Sequence, residues 1–382
     1  MPGFNMVKIR SAINLAICAV FLILLCLPIV FQVSGIRFNF STIENRKKTE
    51  FPVLITTNGI PLRNAALFID QFNSYYSDNF AIREIMIQLY TNFKINLLHT
   101  NPFPEKVVFG NEGWIFLGDS WSDAITETKG IKNFSEQELD QITKNITESQ
   151  KYFVLKRIKF FLAIAPEKST VYGEKLPIQQ SARQTKLEQV KKRLSAIGCK
   201  LIDLKDDLNK NQNFPLYYKT DSHWNEIGAY YGYVSLMNTI VTSFPMLEIL
   251  KLQDFSIDTN NHYSGDLANM LSLKIMECRF VLTPVFKRES NRLPGKLKIP
   301  ESYTRNPKLY ERRFGNKIGN LKVLVFHDSF FMTLYKFIPE SFRETVLIWS
   351  VWEKDIIEQE KPDIVVYELV ERDIDALLYP LN

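Results

Sequence analysis

The stretch Thr220–Asn225 (Thr-Asp-Ser-His-Trp-Asn) places a carboxylate two residues before a histidine, an arrangement suited to acid–base chemistry. The chain has four histidines, which are His99, His223, His262 and His327. Histidine is the usual general base near neutral pH, and Asp221 can bind one ring nitrogen of His223 and leave the other free to accept a proton. These two residues would be the base and the orienting acid of a triad that still lacks its nucleophile. The alternative is a polar loop that enters a helix, with Asp221 as the cap.

The nucleophile is predicted at Ser329, in the sequence His327-Asp328-Ser329-Phe330. This serine follows the apolar run Leu321–Phe326, which is typical of a buried strand, and precedes a predicted helix, Phe331–Phe337. At such a turn the hydroxyl lies at the edge of the sheet, and backbone N–H groups at the start of the helix can stabilise an oxyanion. The arrangement resembles a nucleophile elbow without the Gly-x-Ser-x-Gly sequence. The alternative is that Ser329 only caps the helix.

The strands that position these residues belong to a predicted α/β fold. Strand Phe160–Ala165, helix Thr185–Ile197 and strand Lys200–Leu204 form a β-α-β unit. Three later apolar runs are also predicted to be buried strands, namely Leu321–Phe326, Val346–Trp349 and Asp363–Tyr367. Continuous apolar strands are typical of a parallel sheet with helices on both faces. We therefore expect a flavodoxin-like parallel sheet with functional loops at the carboxyl ends of its strands.

The remaining segments are assigned by periodicity and turn signals. Further helices are predicted over Asn64–Leu98 with a break at Ser77–Asn79, from the capping box Ser135–Glu138 to Lys156, over Asn225–Thr242 and over Glu353–Gln359. A hairpin is predicted to join Val107–Phe109 to Trp114–Leu117. The stretch from about residue 244 to 320 is looser and contains several Pro and Arg residues, so we expect an insertion or a lid there.

An apolar run of 22 residues, Ala12–Val33, contains no charged residue and follows Lys8 and Arg10. As a helix it would rise about 33 Å, enough to cross the hydrocarbon layer. The predicted domains are 1–11 as a cytoplasmic amino terminus, 12–34 as a transmembrane signal anchor, 35–100 as a stalk and helical segment, and 101–382 as the catalytic domain. A cleaved signal and a buried soluble helix are the alternatives. The positive charges before the run favour a periplasmic or extracellular location for the remainder.

Composition argues against several classes of protein. The chain of 382 residues is 46% hydrophobic and 23% charged, with a formal net charge of +5, and its basic residues are spread among the acids. These values predict folded domains and no nucleic-acid partner. An exported location would permit a disulfide between Cys199 and Cys278, although nothing in the local sequence requires one. A metal site is an alternative to the triad, but the spacing of its candidate ligands is specific to no ion. Those candidates are Asp221, His223, His327 and Asp328, with His262 or Asp266 as further ligands.

Taken together, these residues resemble the SGNH-type O-acetyltransferases of exopolysaccharide modification, the AlgX/AlgJ-like (DHHW-type) family. The resemblance covers most of the chain, from about Glu44 to Asp375. Its motifs are Glu44-Asn45-Arg46, Phe51-Pro52, Asp78-Asn79-Phe80 with Arg83, Val108-Phe109-Gly110 with Gly113-Trp114, Pro166–Thr170 with Tyr172, Thr220–Asn225, Gly265-Asp266-Leu267, Asp328-Ser329-Phe330, and Lys361–Glu368 with Glu371-Arg372. The resemblance implies an SGNH-hydrolase-like fold that is circularly permuted, because the Asp-His pair precedes the serine here and follows it in ordinary SGNH hydrolases.

The resemblance also implies roles for the site residues. Ser329 would be the nucleophile, His223 the general base and Asp221 its orienter. The predicted substrate-binding residues are Trp224, Asn225 and Tyr335. Packing beneath the triad is the alternative for Trp224, and Tyr335 is included because alginate-type relatives carry a tyrosine there. His327 stands where the family has a glycine, and the glycine and asparagine oxyanion donors of ordinary SGNH enzymes have no identified counterpart.

The implied reaction is the transfer of an acetyl group, through an acetyl-serine, to hydroxyls of an alginate-like exopolysaccharide or another cell-surface glycan. A polytopic membrane protein of the MBOAT type would deliver the acetyl group, and neither a cofactor nor a metal is required. A carbohydrate acetyl-esterase or deacetylase with the same triad is one alternative. A non-catalytic scaffold of a polysaccharide assembly complex is another.

Overall fold

The computed structural model describes residues 12–23, 26, 30, 34, 49–52, 65–79, 83–179, 181, 183–211, 213–301, 303 and 306–381. The chain divides into two compact units. The first comprises the residues up to Pro102 together with Leu271–Leu273, and the second comprises Phe103–Met270 and the residues from Lys274 onward.

Helices make up most of the described part of the first unit. Ala65–Asn79 is followed by Arg83–Asn92, which continues as a π-helical turn over Phe93–Leu97. Asp78, at the end of the first of these helices, accepts hydrogen bonds from the N–H and the hydroxyl of Thr49, at 2.9 and 2.7 Å. The predicted helical character of this segment is thus confirmed, but the predicted break at Ser77–Asn79 is wrong, because these residues are the last of the helix Ala65–Asn79.

The predicted membrane anchor is described only at residues 12–23, 26, 30 and 34, and all of these except residue 34 are helical. Among the helices that the structure describes, none has both the length and the apolar character needed to span a bilayer. The other residues of the predicted anchor, and the motif Glu44-Asn45-Arg46, lie outside the described residues.

Eleven strands are described in the second unit. They are β1 (Val107–Phe109), β2 (Ile115–Leu117), β3 (Lys159–Ala165), β4 (Leu201–Asp203), β5 (Phe255–Tyr263), β6 (Glu277–Pro284), β7 (Ser290–Leu293), β8 (Glu311–Asn316), β9 (Lys322–Phe326), β10 (Glu344–Ile348) and β11 (Ile364–Val370). Seven of them form the central sheet, in the order β4-β3-β11-β9-β10-β8-β7. The first five in this order run parallel, whereas β8 is antiparallel to both β10 and β7. β1 and β2 form the predicted hairpin, and β5 and β6 form a separate antiparallel ribbon.

The central sheet is therefore mixed, which corrects the prediction of a parallel sheet. Strands β7 and β8, which pair with each other in antiparallel fashion, come from the segment around residues 244–320 that was expected to be an insertion or lid. β8 contains no apolar run. Its buried Arg313 is stabilised instead by ion pairs with Glu311, Glu344 and Glu360. A strand stabilised by ion pairs lacks the hydrophobic pattern from which strands are predicted.

Helices cover both faces of the sheet, as predicted. The described α-helices of the second unit are Ala124–Thr128, Glu136–Lys156, Lys168–Val171, Lys186–Ala196, Lys205–Leu208, Glu226–Ser243, Asp266–Met270 and Lys354–Glu360. Side chains alternate along a strand, so Val323 and Val325 of β9 pack in one hydrophobic cluster while Leu324 and Phe326 pack in the other. Glu226–Ser243 contributes to the first cluster, and Glu136–Lys156 and Lys186–Ala196 contribute to the second.

A local signal determines where the helix Glu136–Lys156 begins. Ser135 and Glu138 form the predicted capping box, in which the Ser135 N–H donates to the Glu138 carboxylate at 2.8 Å.

The disulfide that an exported location would permit between Cys199 and Cys278 is not formed in the structure. Cys199 is buried and Cys278 is exposed, and both thiols are free.

Candidate active site

The carboxyl ends of three neighbouring parallel strands bring chemically active residues to one edge of the sheet. His327–Ser329 follow β9, Pro166–Lys168 follow β3, and Glu371 and Arg372 follow β11. β11 lies between the other two and pairs with both. In open α/β sheets, ligands bind outside the carboxyl ends of the strands, so this edge is the expected position of an active site.

Ser329, His223 and Asp221 form a continuous hydrogen-bonded chain. The Oγ atom of Ser329 lies 2.9 Å from Nε2 of His223, and Nδ1 of the same ring lies 2.7 Å from Oδ1 of Asp221. With its proton on Nδ1, the neutral ring donates to the carboxylate and accepts from the serine hydroxyl. The His223 side chain is 29% exposed, so the site is open to solvent. The arrangement can activate the serine as a nucleophile.

Asn225 fixes the loop of the base to the helix that follows. It is the N-cap of Glu226–Ser243, and its side-chain oxygen accepts hydrogen bonds from the N–H groups of Ile227 and Gly228, both at 3.0 Å. The alternative in which Asp221 caps this helix is therefore wrong.

Trp224 joins the base loop to the nucleophile turn. Its Nε1 donates to the carbonyl oxygen of Phe330 at 3.0 Å, and the two rings meet edge to face at 5.4 Å. Trp224 and Asn225 are each 1% exposed. Both residues therefore position the loop, in place of the substrate contacts predicted for them, because neither side chain offers a surface to a sugar.

Tyr263 and Asp266 hold the second oxygen of Asp221. The hydroxyl of Tyr263, at the end of β5, donates to Oδ2 of Asp221 at 2.5 Å, and the N–H of Asp266 donates to the same oxygen at 3.1 Å. The Asp266 carboxylate lies 3.7 Å from Nδ1 of His223 and accepts a hydrogen bond from the hydroxyl of Ser222 at 2.6 Å. Asp221 is thus locked in the orientation that serves the imidazole.

The charges in the site favour a protonated imidazole beside an ionised Asp221. Burial lowers the pKa of His223, but the hydrogen bond and charge of Asp221, with the charge of Asp266, raise it above its ordinary value overall. Burial likewise acts to raise the pKa of Asp221, yet its bonds to His223 and Tyr263 hold that pKa well below the usual range. Burial, and then the neighbouring Asp221 charge, raise the pKa of Asp266. The imidazolium that forms when the base accepts a proton is therefore stabilised.

Two charged residues, the buried Lys168 and the half-buried Glu277, support the backbone of the loop. The Nζ of Lys168 donates to the carbonyl oxygens of Tyr218 at 3.1 Å and of Asp221 at 2.5 Å, and burial lowers the pKa of this amine to about 8. On the other side, the carboxylate of Glu277 accepts hydrogen bonds from the N–H groups of Lys219 and Thr220, at 2.7 and 2.8 Å. These contacts fix the main chain that carries the base.

The turn at Ser329 leaves its hydroxyl free for His223. Ser329 occupies the N-cap position of a helix but makes no capping hydrogen bond, so the alternative that it only caps is wrong. The neighbouring Asp328 makes that contact, because its Oδ1 accepts from the N–H of Phe330 at 2.8 Å and its Oδ2 from the N–H of Val370 at 2.6 Å. The helix itself is of the 3-10 type and covers Phe330–Lys336, instead of the α-helix predicted over Phe331–Phe337.

His327 and Tyr335 bind each other behind the nucleophile. The Tyr335 hydroxyl donates to Nε2 of His327 at 2.8 Å, and Nδ1 of His327 donates to the carbonyl oxygen of Asp328 at 2.6 Å. His327 is 2% exposed. The histidine that stands in place of the family glycine therefore fixes the peptide before Ser329, and Tyr335, predicted to bind substrate, orients that histidine.

In the described part of the chain, one group of carboxylate and histidine side chains lies close enough together to bind a metal ion. Ligand atoms of Asp221, His223 and Asp266 lie within 4.8 Å of one another. Asp221 and His223 already bind each other through Nδ1, so a cation there would have to take the place of the imidazole proton. His327 and Asp328 are not part of this group.

Sequence reasoning missed Tyr263, Lys168 and Glu277 as site residues. Lys168 and Asp266 occur in motifs that the sequence analysis identified, but their contacts with the base loop were not predicted. Tyr263 lies three residues before Asp266, in a stretch with no recognised motif, and its polar neighbours gave no strand pattern. Its role follows only from the β5–β6 pairing.

Comparisons with known proteins place this fold. Residues 107–292 match the model of a family described as "SGNH hydrolase-like domain, acetyltransferase AlgX". Asp221 and His223 lie inside the matched residues and Ser329 lies beyond them.

The structure is similar to that of PatB1 from Bacillus cereus, with a TM-score of 0.52 and 19% identity over 72% of this chain and 98% of that one. PatB1 with a sulfonyl adduct gives a TM-score of 0.50 and 17% identity, over 72% and 97% of the two chains. The O-acetyltransferase domain of Pseudomonas putida AlgJ gives a TM-score of 0.45 and 17% identity, over 72% of this chain and 93% of that one. No curated protein matches the chain. The predicted SGNH-hydrolase-like α/β fold is thereby confirmed, with a mixed sheet.

Proposed function

On the premise that residues 107–292 form an SGNH hydrolase-like domain of the AlgX acetyltransferase type, we propose that this protein is an O-acetyltransferase that acetylates glycan hydroxyls through an acetyl-serine. The observation that carries the proposal is the chain of hydrogen bonds from Ser329 through His223 to Asp221, at 2.9 and 2.7 Å. A serine, a base and an orienting acid at these distances are the requirements for nucleophilic acyl transfer.

The first step acylates the enzyme. His223 takes the proton of Ser329 at Nε2 while the serine oxygen attacks the carbonyl carbon of the donor's acetyl group. The tetrahedral intermediate then collapses, the donor's leaving group receives the proton from His223, and the acetyl group remains on Ser329. Asp221 stays ionised throughout and stabilises the imidazolium.

The second step regenerates the serine. A glycan hydroxyl enters the position of the leaving group, His223 removes its proton, and the hydroxyl oxygen attacks the acetyl-serine carbonyl. When this intermediate collapses, the ester bond to Ser329 breaks and the serine oxygen recovers the proton from His223. The atoms balance with no metal or cofactor, so none is part of the proposal.

The location and partners belong to the same proposal. The uncharged run Ala12–Val33, preceded by Lys8 and Arg10, supports a membrane anchor with the catalytic domain on the periplasmic or extracellular side. A reactive acetyl donor must then be supplied at the outer face of the bilayer, and a polytopic membrane acyl-donor protein of the MBOAT type would meet this need.

The test is acyl transfer by the purified full chain. An activated acetyl ester is added with and without oligosaccharide acceptors, and products are followed by mass spectrometry. We expect an acetyl group on Ser329 and acetylated sugar when an acceptor is present. Ser329→Ala and His223→Ala are each expected to lower the rate by at least about 10³-fold.

Three outcomes would contradict the proposal in different ways. Full activity of Ser329→Ala would exclude the serine as nucleophile. Release of free acetate without acetylated sugar, across a broad panel of acceptors, would favour the esterase. Loss of activity with a chelator would favour a metal at the carboxylate–histidine group.

A further inference from the structure

A cavity of about 530 Å³ lies at the carboxyl edge of the sheet, next to the nucleophile turn. His327 and Asp328, which directly precede Ser329, form part of its wall. Arg372, another wall residue, has its guanidinium 5.3 Å from the centre of the Phe330 ring, just after the serine. The cavity therefore adjoins the turn that carries the nucleophile, although Ser329 and His223 are not among its wall residues. Its volume lies in the range of small-molecule binding sites.

Aromatic rings form much of the wall. The partly exposed aromatic residues of the lining are Tyr303, Trp349 and Tyr379. Tyr379 is 68% exposed, at the open side of the cavity. Such amphipathic rings offer an apolar face and a polar tip, which suits the mixed C–H and hydroxyl surface of a sugar.

Two buried polar atoms of the wall lack partners among the described residues. They are the hydroxyl of Tyr367, a side chain that is 1% exposed, and Oε2 of Glu127, which is 3% exposed. Burial, and then the charges of Asp328 and Asp373, raise the pKa of the Tyr367 hydroxyl, so it stays a hydrogen-bond donor at neutral pH. Buried polar groups are nearly always satisfied, and a bound polyhydroxylated ligand would supply the missing partners.

The charge of the wall is mostly negative. Its charged residues are the acids Asp123, Glu127, Asp328, Asp373 and Asp375 and the single base Arg372. Arg372 is already paired with Glu167.

The neighbouring lysines pair with three of the wall acids and leave Asp373 without a salt bridge among the described residues. Lys132 pairs with Asp123, and Lys186 is shared between Glu127 and Asp375. Asp373 has no salt bridge within the described part of the chain, and its carboxylate accepts a hydrogen bond from the hydroxyl of Ser122 at 2.9 Å. A carboxylate brought into this cavity would meet like charges in a partly desolvated site, whereas hydroxyl and amino groups would find acceptors.

We propose that this cavity binds the sugar that accepts the acyl group, and that it selects neutral or amino sugars over uronates. The inference rests on the proposed transferase function and deepens it. It also replaces the alginate-like acceptor implied by the sequence resemblance, because alginate is a polymer of uronates.

Binding to the full-length Ser329→Ala protein tests this without any turnover. Three β-1,4-linked tetrasaccharides of equal length are compared by calorimetry at low ionic strength: glucosamine, N-acetylglucosamine and mannuronate. We expect the glucosamine tetramer to bind most tightly, and both amino-sugar tetramers to bind at least about tenfold more tightly than the mannuronate tetramer. Added salt should narrow the difference.

A matched pair of variants assigns the effect to the cavity. In the Ser329→Ala background, Asp373→Asn should weaken glucosamine binding and strengthen mannuronate binding, each by about threefold or more. Asp258→Asn, at an exposed position of β5, should leave the binding of both tetramers unchanged. Equal or tighter binding of mannuronate, binding of none of the tetramers, or equal effects of the two variants would each overturn the inference.

The result is separable from the proposed function. Acetylation of wild-type Ser329 by an activated ester needs no acceptor and is read from the mass of the intact protein. If that acylation fails but the tetrasaccharides bind in the expected order, only the transferase proposal is contradicted. If acylation is normal but the mannuronate tetramer binds more tightly than the amino-sugar tetramers, only the inference about the acceptor is contradicted.

Discussion

The carboxylate of Asp221 is held by four hydrogen bonds. Oδ1 accepts from the backbone N–H and the Nδ1 of His223, at 2.9 and 2.7 Å, and Oδ2 accepts from Tyr263 and from the N–H of Asp266, at 2.5 and 3.1 Å. A carboxylate with this many donors stays ionised and cannot rotate. At the scale of single residues, the basicity of His223 therefore depends on Asp221, whose bond and charge outweigh the effect of burial.

Asp221→Asn should lower the rate of acyl transfer by about 10³–10⁴-fold, because the neutral amide neither stabilises the imidazolium nor enforces the tautomer. The pH profile should change as well. His223 must be neutral to accept a proton, and its raised pKa shifts the acid limb of the wild-type profile to higher pH than an ordinary imidazole would give. With the Asp221 charge gone, burial dominates and the limb should move to lower pH. Rates of Ser329 acetylation between pH 5 and 9 measure both effects.

The control for this prediction is Asp258→Asn, which removes an exposed carboxylate of β5. It should leave the rate and the acid limb unchanged. An acid limb in Asp221→Asn at or above the wild-type position would show that another group sets the pKa of the base.

At the scale of elements, the β5–β6 ribbon and the connection between its two strands act as a clamp on the base loop. Tyr263, the last residue of β5, pairs with Glu277, the first residue of β6, and both bind the stretch Thr220–Asn225. Between them, Gly265 donates its N–H to the hydroxyl of Thr220 at 2.9 Å. A segment expected to be an insertion thus contributes directly to the geometry of the triad.

Gly265→Ala should disrupt this clamp. A Cβ atom at this position would lie 2.3 Å from the carbonyl oxygen of Thr220 and 2.4 Å from the N–H nitrogen of Asp221, so the loop would have to move. We expect acyl transfer to fall by about 10²-fold or more with little change in melting temperature, since such a displacement alters the near-attack geometry.

Gly173→Ala is the matched control, because its Cβ would meet only the flexible end of Lys129, at 3.1 Å. This variant should keep wild-type activity. Equal loss of activity in both variants, or none in Gly265→Ala, would contradict the clamp.

At the scale of the whole catalytic unit, the carboxyl and amino ends of the parallel strands have different roles. The carboxyl ends carry the candidate active site, whereas Lys322 and Glu344, the first residues of β9 and β10, belong to an ion network around Arg313. Arg313 is fully buried and pairs with Glu360 at 2.7 Å and with Glu344 at 2.5 Å. This network holds the antiparallel strand β8 against the parallel sheet.

Arg313→Met should destabilise the fold by about 3–5 kcal/mol, because it leaves buried carboxylates without their partner. Burial acts to raise the pKa of Glu360, but its bonds to Arg313 and Lys322 lower it from 4.5 to about 2. The stability due to this pair is therefore present above pH 4.5 and is lost as the pH falls toward 2. The difference between wild type and variant in urea unfolding should accordingly narrow below pH 4.5.

Lys317→Met, at an exposed position after β8, is the control and should change stability by less than about 0.5 kcal/mol. An unchanged unfolding free energy for Arg313→Met at pH 7 would mean that the network is dispensable for the sheet.

The parts of the molecule that depend on local chemistry were predictable from the sequence. The buried parallel strands were recognised as apolar runs, and the helix at Glu136 was recognised by its capping box. Asp221 and His223 were selected by the spacing of a carboxylate and a histidine, and Ser329 was selected because strand ends collect functional residues in α/β folds. Each of these inferences uses residues that are neighbours in the chain, where periodicity and spacing determine structure.

The tertiary structure alone decided which distant residues meet. Ser329 and His223 are 106 positions apart, and Tyr263 reaches Asp221 across 42 positions. β8 has no apolar pattern, since it is stabilised by ion pairs that exist only after folding. Trp224, a candidate for sugar stacking by its type, is buried by contacts that its own segment does not specify. The sequence thus determined the chemistry and the local elements, whereas packing between segments remote in the chain determined the triad geometry and the charge of the neighbouring cavity.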